Sequence, residues 1–229
     1  MSATVTAIQQ PNRPQTNSIQ QELHHIGEEL IASLPPIEEL SAGQRRGMIA
    51  RYSAVLEGNF IYWMTGAYLS AKSEEARSII EENLLTEVRD SHPRMLRKFA
   101  MAARAVPSDS DALAVFPQLT AVRLFIGRLS TAPIIAMMAF FEGFIQEFMA
   151  YLADLAKRQG SEEREYTDVH GVCDIEHSEE LFRALEVEMA IASQSHEPAD
   201  LFEGVYLLRS LIQAIIADPA RSVTAIRGS

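Results

Sequence analysis

The chain has 229 residues, 47% of them hydrophobic, enough for one sizeable core. Its 31 acidic residues outnumber 20 basic ones, and the formal net charge of -11 disfavours nucleic acid and anionic membranes as partners. The single cysteine, Cys173, excludes an intrachain disulfide framework and suits a reducing cytoplasm.

Residues 1–18 (MSATVTAIQQPNRPQTNS) are polar and lack an apolar h-region, so they are expected to form a disordered tail, not a signal peptide. Ile19, Leu23, Ile26, Leu30 and Ile31 predict an amphipathic first helix, stopped by Pro35-Pro36. A second helix is expected from about Gln44 to Leu69. A third starts near Ser73, where Glu74 and Glu75 suit the positive end of its dipole. It breaks at DSHP (90–93), because proline disfavours helical geometry in the residue before it. Asp90 or Ser91 then caps a continuation to about Arg104. Further helices are expected near 110–116, 118–130, 133–158, 167–194 and 199–217. The longest apolar run, APIIAMMAFF at 132–141, ends at Glu142 and is too short to span a bilayer. Residues 19–218 thus predict one all-α bundle of about seven to eight helices, with a flexible tail over 219–229.

Three segments carry residues with chemistry to offer. In DVHGVCDIEH (168–177), His170, Asp174 and His177 stand at i, i+4 and i+7 and share one helical stripe. Imidazole with carboxylate suits iron, manganese or zinc, and the alternative is a solvated polar face. In AFFEGFIQEFM (139–149), Glu142 sits in an apolar run, where a carboxylate must be paired, protonated or metal-bound. Glu147 lies about 140° round the helix from Glu142 and is expected in solvent. EENLLTEVRDSHPRML (81–96) offers Glu81, Glu82, Glu87 and His92, on a segment whose glutamates could equally be a solvated face. Together the segments supply Glu and His side chains from separate helices, as dinuclear iron sites in helix bundles require.

These motifs resemble those of the haem-oxygenase-like diiron oxidases, the superfamily that includes the chlamydial protein associating with death domains. The resemblance covers about residues 40–190 and rests on NLLTEVRDSH at 83–92, FFEGF at 140–144 and HGVCDIEH at 170–177. It implies a haem-oxygenase-like helical bundle with the ligands Glu87, His92, Glu142, His170, Asp174 and His177. It also implies two ferrous ions as cofactor and dioxygen as co-substrate. One departure stands out: the family has a longer, glycine-containing stretch between the glutamate and the histidine. Here the interval is VRDS, which on a continuous helix would separate Glu87 from His92. The break at DSHP would restore the alignment; otherwise Glu82 is the ligand.

The resemblance further implies a cytoplasmic biosynthetic enzyme acting on a small, amino-acid-derived molecule. The narrowest form of that expectation is oxidative rearrangement of a tryptophan derivative to a nitrile. A homodimer is compatible with it; nucleic acid and membrane are not expected partners. The rival from another class is a non-catalytic interaction protein that keeps the bundle alone. Haem held by His24 or His25 would leave the HxxxDxxH motif unexplained, and Cys173 reads as a small core residue, not a nucleophile. Tyr52, Phe60, Tyr62, Trp63 and Tyr68, with Phe140, Phe141 and Phe144, are expected mostly in the core, some of them lining an apolar pocket. Arg51, Arg89 and Arg123 are candidates to grip a substrate carboxylate.

Overall fold

Ile19, Leu23, Ile26 and Leu30 recur at three- and four-residue spacing, and all four are buried along helix α1 (Arg13–Ala32). The computed structural model describes residues 13–192 and 200–217, without the side chains of 13–16, 172–176 and 192. Helix α1 therefore begins inside the stretch expected as a tail. The remainder of that stretch, like the C-terminal tail, lies outside the described residues.

The chain passes Pro35-Pro36 through a 3-10 turn at Ile37–Glu39 into α2 (Ala42–Ser70). A reciprocal cap starts α2: Ser41 Oγ accepts from the Gln44 N–H at 3.3 Å, and Gln44 Oε1 accepts from the Ser41 N–H at 2.8 Å. Helix α3 (Glu74–Arg89) begins as expected, with the Ser73 hydroxyl accepting from the Ala76 N–H at 3.0 Å. Helix α4 (His92–Ala102) follows after a break, and α5 runs over Asp109–Ile126.

The two helices expected on either side of Pro117 are one helix, α5, which also ends at Ile126 and not at 130. Pro117 lies on the exposed face, where the Leu113 carbonyl that loses its donor can be hydrated. Val115, Leu119, Val122, Phe125 and Ile126 bury the other face and hold the helix together across the proline. Close approach to both neighbours needs glycine. A Cβ on Gly66 of α2 would stand 2.4 Å from Ile126 Cγ2, and one on Gly204 would stand 2.5 Å from Phe125 Cε1.

Helices α6 (Thr131–Arg158), α7 (Glu165–Ala192) and α8 (Glu203–Ile216) complete the bundle; among the described residues there is no strand. Helix α6 is central, touching α1, α2, α7 and α8, with its most extensive contact along α7. The apolar run that ends at Glu142 continues beyond it as helix. By length and composition α6 would suffice to cross a membrane, but 72% of its most apolar window is buried inside the bundle, as in a core helix. One apolar cluster joins all eight α-helices among the described residues.

The three candidate arginines stand in different surroundings. Arg51 is buried, and its Nε and Nη2 donate to the carbonyls of Ile215 at 2.8 Å and Ala217 at 2.6 Å. It thereby satisfies the C-terminal end of α8, whose last carbonyls have no helical donors. Arg89 is exposed, and Arg123 donates to Asn59 Oδ1 at 2.8 Å.

Candidate metal centre

Glu87 and His92 stand five positions apart in sequence, which on an unbroken helix would set them about 140° apart. The chain avoids this by ending α3 at Arg89 and turning at Ser91, which takes a left-handed φ of 59°. Ser91 occupies the cap position of α4, but its side chain makes no capping hydrogen bond; its carbonyl instead accepts from the N–H groups of Arg94 at 2.8 Å and Met95 at 3.2 Å. Pro93 sits in the first turn of α4, where its missing N–H costs nothing. The break returns His92 to the face of Glu87, placing its Nδ1 2.7 Å from Glu87 Oε1. The short VRDS interval is thus compatible with Glu87 and His92 in one site. Glu82 is exposed and does not line that site.

Helix α7 supplies the opposite wall. His170 Nδ1 donates to the carbonyl of Tyr166, one turn earlier, at 2.8 Å. Its ring lies 4.2 Å from the Tyr166 ring and 4.5 Å from the His92 ring, between centroids. Burial lowers the His170 pKa to about 4, with His92 and His177 pushing the same way and Glu87 opposing. The imidazole is therefore neutral near pH 7, and with Nδ1–H committed to Tyr166, Nε2 keeps its lone pair for a ligand.

Glu87, His92 and His170 each offer a ligand atom, and these atoms all lie within 4.8 Å of one another. Glu87 is 5% exposed, His92 3% and His170 7%, and Glu142 on α6, 3% exposed, lines the same cavity of about 30 Å³. The cavity's other walls are apolar or aromatic and include Tyr52, Leu56, Phe60, Leu96, Phe141 and Tyr166; no lysine or arginine lines it among the described residues. His177 is buried, and it is near enough to His170 to bias that ring's protonation. Asp174 belongs to α7, but its side chain lies outside those described.

Two observations show that these residues fit a metal. His92 Nε2 is a buried nitrogen with no protein partner, and a buried polar atom of that kind needs a ligand or water. Glu87 and Glu142 line one cavity with no lysine or arginine in its wall among the described residues, an arrangement that a bound metal stabilises. The mixed N/O donor set suits iron, zinc or manganese.

The choice among metals comes from comparison with known proteins. Residues 50–210 match the model of a family described as iron-containing redox enzymes. The chain belongs to that family. Its all-α bundle is the haem-oxygenase-like fold. No curated protein matches the chain significantly. For an iron-containing redox enzyme, the buried Glu87–His92–His170 group is a possible iron site. The alternative histidines, His24 and His25, are 65% and 62% exposed and pair with Glu28 and Glu29 on α1. The side chain of Cys173 lies outside those described.

Sequence reasoning missed several residues here. Tyr166 fixes His170 through its carbonyl, and its hydroxyl meets that of Tyr52 at 2.8 Å across 114 positions of sequence. The i−4 spacing to His170 was a usable signal for the carbonyl contact, because that carbonyl lies one turn back on any helix. Nothing local announced the hydroxyl pair. Asn83, one turn before Glu87, is 2% exposed, and its Nδ2 has no protein partner.

Proposed function

We propose that the protein is a dioxygen-activating non-haem diiron oxidase or oxygenase. Glu87, His92, Glu142, His170, Asp174 and His177 would hold the two irons. The observation that carries this reading is the buried Glu87–His92–His170 group, with Glu142 on the same cavity, inside an iron-containing redox enzyme fold. Ferrous iron, when bound, supplies the electrons for reducing dioxygen.

The chain's own residues do the rest. Tyr166 holds His170 in the tautomer that leaves Nε2 to ligate, and Glu87 and Glu142 offset metal charge. The apolar walls from Tyr52 to Phe141 keep bulk water from the reaction. A cavity of about 30 Å³ admits a water-sized or diatomic molecule, so an organic substrate reaches the centre only once a wall has moved. The substrate is a small amino-acid-derived molecule, and rearrangement of a tryptophan derivative to a nitrile is the narrowest form of the proposal. The aromatic walls are compatible with it.

The test is anaerobic reconstitution with Fe(II), followed by elemental analysis and a screen of amino acids with dioxygen uptake as readout. The expected result is about two irons per chain and substrate-dependent uptake. Stray iron only would defeat the diiron reading and leave the bundle as an interaction scaffold.

A further inference from the structure

Three cavities follow one another round α6 and share walls. The cavity at the candidate metal centre has Tyr52, Leu56 and Phe141 in common with a second, of about 10 Å³, between α2, α6 and α8. The second shares Phe144 with a third, an open groove of about 460 Å³ between α1, α6 and α7. Helical geometry explains the order. At about 100° per residue, Phe141, Phe148 and Phe144 succeed one another round α6 on the side leading away from Glu142. Phe140 and Glu147 come next, and Phe140 stacks on Phe144 with centroids 6.4 Å apart.

The middle cavity decides what could pass. Val55, Leu208, Leu211 and Ile212 form its aliphatic side, and it exposes no polar surface. Its volume is near the minimum for a single water, and a water there would need two to four polar partners that these walls do not present. An apolar diatomic molecule has no such need.

We infer that this chain of cavities is a dioxygen route, leading from the α1/α6/α7 groove past Phe144 and then Phe141 to the metal centre. The inference rests on the dioxygen-activating reading above. It assigns Phe144 and Phe141 as the two partitions, whose side-chain movements admit the gas. Polar solutes are held back by the apolar middle section.

The probe is dissolved dioxygen, which is paramagnetic. In the metal-free full chain with labelled methyl groups, dioxygen pressure should broaden the methyl signals of Val55, Leu208 and Ile212 well beyond those of Val122. Val122 is equally buried but lines none of the three cavities. In the iron-loaded protein, Val55→Ile adds one methylene to the middle cavity and should slow oxidation of the ferrous form by dioxygen about tenfold. Val122→Ile, the same addition elsewhere in the core, should leave that rate unchanged, and Phe144→Leu should raise it. Equal broadening at Val122 and Val55, or equal oxidation rates in the two isoleucine variants, would overturn the route. A chain that binds no iron would sink the metal reading while the methyl signals still decide the route.

Discussion

At the N-terminal end of α3, Glu188 of α7 is 1% exposed, and its Oε1 accepts from the N–H groups of Lys72 and Ser73, both at 2.8 Å. At the C-terminal end of the same helix, Glu87 is 5% exposed and faces the His92 imidazole, with Glu142 lining the same cavity. Burial is alike; surroundings are opposite. The dipole of α3 and two backbone donors stabilise Glu188 Oε1 within the protein itself, while Oε2 is buried with no partner among the described residues. Glu87 sits where the dipole is negative and a second carboxylate is near. A buried acid that the fold itself stabilises is structural, whereas one placed against dipole and like charge is built for a cation.

The largest effect should come from the Glu87 side. Glu87→Ala or His170→Ala is expected to lower iron uptake on anaerobic loading and to cut dioxygen consumption at least about 100-fold. Glu82→Ala, at an exposed position, should keep both. The reverse pattern would make Glu82 the ligand. The complementary change, Glu188→Ala, should leave iron content alone and cost stability. It strips two backbone donors of a charged acceptor, a loss of about 2–3 kcal/mol that denaturant unfolding would read. Loss of iron in Glu188→Ala, with stability intact, would remove the distinction between the two ends.

How much of this was legible depends on periodicity. His170 and His177 share a stripe at regular helical spacing, and Glu142 announced itself as a charge inside an apolar run; the structure buries all three. Glu82 and Glu87 lie on opposite sides of α3, but nothing in the spacing says which side meets α4 and α7. That is decided by the turn at Ser91, a backbone reversal with no signature beyond the proline that follows. Glu188, in the run EVEMA, looks like any glutamate of a solvated face, because its donors lie more than a hundred residues away. Pro117 misled for the opposite reason: a strong local signal was outweighed by tertiary packing of the face behind it.

Asp111 extends the comparison to a third buried carboxylate, again one stabilised by the fold. Burial raises its pKa, but the hydrogen bonds from Ser108 and Arg46 outweigh burial and hold it below the ordinary carboxylate range. Arg46 reaches it through Nη1 at 3.1 Å and Nη2 at 2.8 Å, and the Ser108 N–H donates to it at 2.9 Å, closing the cap of α5. A carboxyl whose folded pKa is depressed contributes stability above its unfolded pKa and loses it as pH falls through the folded one. Asp111→Asn should therefore cost about 1–2 kcal/mol above about pH 5, and the difference from wild type should fade in more acidic solution. A difference that stays constant with pH would show that shape, not charge, is what Asp111 contributes.

The smallest effect tests the turn that sets Glu87 against His92. Ser91 holds a left-handed φ of 59° and makes no capping bond through its side chain, so its serine identity contributes only strain there. Glycine adopts that conformation freely but loses more entropy on folding, which offsets part of the gain. Ser91→Gly should accordingly stabilise the chain by only about 0.5 kcal/mol and leave iron uptake unchanged, whereas Ser91→Val, β-branched, should destabilise it and loosen the Glu87–His92 pair. The pair of variants separates geometry from chemistry at the break. If Ser91→Gly also lost iron, the hydroxyl would have a role in the centre that its position outside the cavity does not suggest. If Ser91→Val kept full stability and full iron, the left-handed turn would not be what aligns Glu87 with His92. Thermal unfolding and elemental analysis of the two proteins, measured side by side, decide between these outcomes.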